Sequence, residues 1–114
     1  MKVAAIGPLF DPEFESVLHF PGAKPATYKG LSGFRAGWRD WLAPWATYRA
    51  VIEELVDLGD RVLVIVRDYG RSDPDSPEIE QIDAALWTVR DGRIIRAEFY
   101  TVRDEALRDA GLTR

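Results

Sequence analysis

The stretch ALWTVRDGRIIRAEFY, residues 85–100, constrains the fold more than any other. Two runs rich in β-branched and aromatic residues flank Asp91-Gly92, and both turn residues tolerate the positive φ of a two-residue type I′ turn. The pattern predicts a hairpin with one strand over Glu78–Arg90 and the other over Arg93–Val102. If Arg90 pairs with Arg93, then Trp87 lies opposite Arg96, Ala85 opposite Glu98, and Asp83 opposite Tyr100. One face then carries Asp83, Trp87, Arg96, Glu98 and Tyr100. The other carries Ala84, Leu86 and Thr88 beside Ile95, Ala97 and Phe99. The apolar face must lie against helices. The aromatic, charged face reads as a sheet-to-sheet partner surface, with Trp87 and Arg96 placed for a cation–π contact.

The rest of the chain extends this pattern. Ala50–Asp57 and Arg61–Tyr69 read as strands joined by a tight turn through Leu58-Gly59-Asp60, and the polar loop Gly70–Pro77 leads into the hairpin. RDEALRDAGL reads as a short closing helix, with Gly111 at the left-handed C′ position. Upstream, Val3–Phe10 is apolar and ambiguous between helix and strand. Asp11-Pro12 opens a turn, Phe14–Phe20 alternates like a short strand, and Pro21–Lys29 is a loop. Ser32 is a candidate N-cap for a helix running to about Ala43, where Pro44 ends it. Phe34, Trp38, Trp41 and Trp45 fall on one face of that helix. Such a stripe is core first, and a pocket wall second.

Composition narrows the function classes. A chain of 114 residues is one domain. Its net charge of -4 argues against a nucleic-acid partner, since no basic stripe is available to displace counterions from phosphates. No Cys is present, which excludes disulfides and thiolate metal sites and fits a reducing compartment. With a single His, any metal site would need carboxylates, and neither metal nor cofactor is expected. The N-terminal apolar run is cut by Gly7-Pro8 and is too short to span a membrane, so a soluble cytoplasmic protein is expected.

Three separated motifs carry a family resemblance. TYKGLSGFRAGWRDWLAPW resembles the stretch that SnoaL-like domains carry before their main sheet. LVDLGDRVLVIVR resembles their Gly-Asp hairpin, and ALWTVRDGRIIRAEFY followed by RDEALRDAGL resembles their closing hairpin and terminal helix. These domains belong to the nuclear transport factor 2-like superfamily, with ketosteroid isomerase and limonene epoxide hydrolase. The resemblance implies an α+β cone: a curved, mostly antiparallel sheet wrapped around helices, paired as a homodimer. It also implies a small, largely apolar ligand, with Trp38, Trp41, Leu86, Ala97, Phe99 and Thr101 lining the pocket. Such domains begin with a long amphipathic helix and a second helix before the Asp-Pro step. Only Val3–Phe10 precedes Asp11-Pro12 here, so the first helix is expected to be missing.

Set beside these relatives, His19 falls at or beside the strand position where ketosteroid isomerases carry their proton-abstracting carboxylate. An imidazole there would be a general base; the plainer reading is a strand-end histidine with a backbone partner. The remaining catalytic set is sparse. The expected inward hairpin face holds no acid, and the chain contains no asparagine to match the epoxide hydrolase site. Glu53 and Glu54 point to opposite faces of a strand, and the acids of SDPDSPE read as turn chemistry. Three functions therefore stand: a small-molecule-binding domain, an acid–base isomerase or cyclase using His19, and a homodimerisation module.

Overall fold

The computed structural model describes residues 9–112; the apolar stretch before Leu9, expected as a remnant of the first helical region, lies outside the described residues. The elements are β1 (Phe10–His19), β2 (Ala26–Lys29), helix α1 (Gly30–Leu42), β3 (Thr47–Asp57), β4 (Arg61–Arg71), β5 (Ile79–Arg90), β6 (Arg93–Tyr100) and helix α2 (Arg103–Asp109). Six strands form one sheet in the order β2-β1-β6-β5-β4-β3. Among the described residues the β1–β6 pair is parallel and the other pairs are antiparallel. The curved α+β sheet is the expected class, and it is open rather than closed.

The Asp-Gly turn forms as its chemistry requires, with φ of 51° at Asp91 and 77° at Gly92. Arg90 pairs with Arg93, and Val89 with Ile94, but Thr88 pairs with Arg96. Ile95 is therefore an extra residue, a β-bulge. Beyond it the register runs Trp87 to Ala97, Leu86 to Glu98, Ala85 to Phe99 and Ala84 to Tyr100. Strand side chains alternate with a period of two, so this single residue exchanges the faces of one strand relative to the other.

The consequence corrects the expected faces. Asp83 and Trp87 share the inner face with Ala97 and Phe99, while Arg96, Glu98 and Tyr100 share the outer face with Leu86. The five residues expected to form one partner surface do not share a face, and Trp87 does not lie opposite Arg96.

Three smaller expectations also change. Pro12 does not break the chain into a turn; β1 runs through it, and the irregularity between Phe10 and Glu15 in the pairing with β6 absorbs the missing amide. The presumed loop before the helix contains β2, paired with β1 from Glu15–Lys29 to Leu18–Ala26. Ser32 lies inside the first turn of α1, whose N-cap position is Lys29 and carries no side-chain cap. The helix does stop before Pro44, and the backbone N–H of Trp45 donates to the Leu42 carbonyl at 3.0 Å.

Two apolar clusters hold the sheet. On the outer face, Ala106 of α2 and Ala110 at its C-cap sit on Leu63, Ile65, Leu86 and Tyr100. The Tyr100 hydroxyl donates to Asp109 Oδ2 at 2.8 Å, tying strand to helix. Gly111, at φ 77°, closes that helix: its N–H donates to Arg108 and that of Leu112 to Leu107. On the inner face, Phe10, Phe14 and Ala97 pack under Phe34 and Phe99. Phe10 and Phe14 meet edge-to-face at 4.7 Å between centroids.

Candidate ligand cavity

A cavity of about 340 Å³ lies between α1 and the inner face of the sheet. The helix supplies Phe34, Trp38 and Trp41; the sheet supplies Val64, Ala85, Trp87 and Phe99. Phe34 stacks on Phe99 at 6.0 Å, which props the helix off the sheet at one end. Farther along, Trp38 meets Tyr48 edge-on at 6.0 Å instead of reaching the sheet floor, and it is 42% exposed at the rim. The aromatic stripe is thus core at Phe34 and cavity wall at Trp38 and Trp41.

Trp45 leaves the stripe. It follows the helix end and lies across Gly70, where a Cβ would come within 2.6 Å of its ring. Only a glycine leaves room for that indole. A recess of about 40 Å³ beside it shares Trp41, Tyr48 and Asp68 with the main cavity wall.

Of the six expected lining residues, Trp38, Trp41, Phe99 and Thr101 are in the wall. Leu86 is instead buried on the outer face under α2, because of the bulge. Ala97 faces inward but is covered by Phe10 and Phe14. His19 reaches the rim. Its ring, however, stacks on Tyr100 at 4.3 Å, and its Nε2 lies 3.2 Å from Glu98 Oε1. Both partners belong to the outer face.

The polar groups of the wall are others. Asp68 is only 7% exposed and accepts a hydrogen bond from the Tyr48 hydroxyl at 2.7 Å. Burial pushes its carboxyl above the usual carboxylate range, and the tyrosine hydrogen bond pulls part of the way back. Burial, with the neighbouring Asp68, likewise pushes the Tyr48 phenol up, against a smaller opposite effect of Trp41. Asp83 accepts a hydrogen bond from the Gln81 amide. Ser16 is 1% exposed, and its Oγ has no hydrogen-bond partner among the described residues.

No Lys or Arg lines the cavity among the described residues. The arginines work on the outer face: Arg67 bridges Glu53 and Glu80, and Arg96 bridges Glu15 and Glu98. Among the described residues, no group of three or more His, Asp or Glu side chains could hold a metal ion, and no helix is long and apolar enough to cross a membrane.

Sequence reasoning passed over Asp68, Tyr48 and Ser16, and placed Asp83 on the partner face. For Asp68 a signal exists: Val62, Val64 and Val66 alternate along the strand, and the next position in phase is Asp68. Asp83 has none, since its face depends on a bulge downstream.

Comparison with known proteins places this geometry. Three solved structures share the fold. TerC, co-crystallised with polyporic acid, is 20% identical at a TM-score of 0.71, over 95% of this chain and 84% of that one. A protein of Jannaschia sp. CCS1, assigned as a SnoaL-like polyketide cyclase, is 22% identical at 0.70, over 94% and 76%. A ketosteroid isomerase-like protein of Catenulispora acidiphila DSM 44928, in complex with trimethylamine, is 24% identical at 0.67, over 96% and 82%. No curated protein matches the chain in sequence. The family model for the SnoaL-like domain matches residues 1–97, and the chain belongs to that family.

Proposed function

We propose that this domain binds a small, mostly apolar molecule in the cavity, held flat between Trp41, Trp87 and Phe99 and oriented by the Tyr48–Asp68 pair. The observation that carries the reading is an aromatic-walled space of about 340 Å³ with a hydrogen-bonded polar pair in its wall. That is the size and make-up of small-molecule sites generally. Neighbours of the same fold hold polyporic acid in one case and trimethylamine in another, so the fold does not set the ligand's charge. Titration with 2-naphthol should quench tryptophan fluorescence saturably, and Trp41→Leu should weaken binding about tenfold, or about 1.4 kcal/mol. Quenching that rises linearly without saturation would remove the reading.

An acid–base enzyme is the second reading, and Asp68 suits it better than His19. Its carboxyl stands in the apolar wall and is held toward its neutral form, whereas the His19 imidazole is engaged by Glu98 and Tyr100. Turnover lost in His19→Gln but kept in Asp68→Asn would return the role to His19. Self-association is proposed through a different surface from the one expected, the outer-face row of Val51 and Ile82, both exposed beside Arg67. Sedimentation as a monomer at high protein concentration would exclude it. The cytoplasm is the proposed location, in keeping with a chain that has no cysteine.

A further inference from the structure

The cavity wall is electrically one-sided. Its two carboxylates, Asp68 and Asp83, are bonded only by neutral donors, the Tyr48 hydroxyl and the Gln81 amide. Among the described residues neither takes part in an ion pair, while Arg67 and Arg96 are paired on the far side of the sheet. Asp68 lies opposite Gln81 and Val66 opposite Asp83, so the two acids are diagonal neighbours on the inner face. That relation sets residues about 7–8 Å apart, near enough for both to face one cation. A nearly buried carboxylate without a cation is half of an ion pair, and indole walls attract cations by their ring quadrupoles.

A second observation marks the opposite end. Ser16 lines the same cavity, and its buried hydroxyl has no partner among the described residues, which is costly unless something bonds it. Ser16 sits beside Ala97, and Ala97 opposite Trp87. Trp87 is four residues along β5 from Asp83, about 13 Å. Two inter-strand steps of about 4.8 Å each separate β1 from β5. The side chains and two hydrogen bonds bridge much of that span, leaving the length of a one-ring arylalkylamine.

Resting on the reading of this cavity as a ligand site, we infer that its ligand is an arylalkyl ammonium, with its cation at Asp68 and Asp83 and a second hydrogen-bonding group at Ser16. The aromatic ring lies between, against Trp41 and Trp87.

The test uses three probes of one shape, measured by calorimetry on the whole chain: tyramine, its alcohol tyrosol, and 4-hydroxyphenylacetate. Tyramine should bind about tenfold more tightly than tyrosol, and the carboxylate most weakly. Asp68→Asn and Asp83→Asn should each erode the preference for tyramine over tyrosol, and a cooperative melt followed by circular dichroism shows that each variant is folded. Ser16→Ala should weaken tyramine but not phenethylamine. Equal binding of tyramine and tyrosol, or a preference that survives both Asn variants, overturns the inference. If 2-naphthol still binds saturably in that case, the cavity reading stands and only the cation fails. If none of these probes binds, both fall.

Discussion

Replacing Asp68 by Asn is expected to raise Tm at pH 7 by about 4 °C, what about 1 kcal/mol is worth in a chain of this size. At pH 3.5 the variant and parent should melt together. The sign follows from linkage. The carboxyl is raised in the folded state by burial, so between the unfolded value of about 3.9 and its folded value the native chain keeps a proton that the unfolded chain has lost. Stability therefore falls as pH rises through that window, and the loss is complete above it. The other titratable groups of the cavity lining are Tyr48, Asp83, His19 and Tyr100, and the one that can be a cation, His19, is engaged by Glu98 and Tyr100. Asparagine removes the charge and still accepts the Tyr48 hydrogen bond. A variant less stable than the parent at pH 7 would show that an unrecognised partner compensates the carboxylate. The same substitution should weaken amine binding, so stability and affinity move in opposite directions, as expected of a functional group kept at a cost to the fold.

Inserting one residue between Ile95 and Arg96 should abolish cooperative folding. The Asp91-Gly92 turn pins Arg90 to Arg93, so with one more residue and the same single bulge the strand beyond it slips by one position. Phe99 would leave the inner aromatic cluster, and Tyr100 would leave its place over α2. Loss of one buried aromatic costs about 3–5 kcal/mol, against a total stability of about 5–15 kcal/mol for a domain. Losing two leaves little. Thermal melts followed by circular dichroism should show no sigmoidal transition. A cooperative melt within a few degrees of the parent would mean that β6 absorbs the added residue in a wider bulge.

The bulge also marks where the sequence stops being legible. Turn chemistry is written locally: Asp91-Gly92 and Gly111 are readable because few residues adopt positive φ. The order of strands followed from three separated motifs. The faces of β5 and β6 did not, because Ile94-Ile95-Arg96 offers a bulge no distinguishing residue; both isoleucines favour strand equally. From that one ambiguity came the misplaced partner surface, the misassigned Leu86 and Asp83 set on the wrong face. β2 was hidden for another reason. Four residues after a proline- and glycine-rich turn carry too little pattern to stand out, and only the neighbouring edge of β1 makes them a strand.

The Tyr48–Asp68 hydrogen bond also acts as a partition. Main cavity and Trp45 recess meet at these two side chains and Trp41, so the interior is two rooms separated by a door one side chain thick. On the reading of the cavity as a ligand site, a ligand that reaches past it toward the recess opens that door, against a hydrogen bond and not a rigid wall. The latch behind it is Trp45, seated on the bare backbone of Gly70.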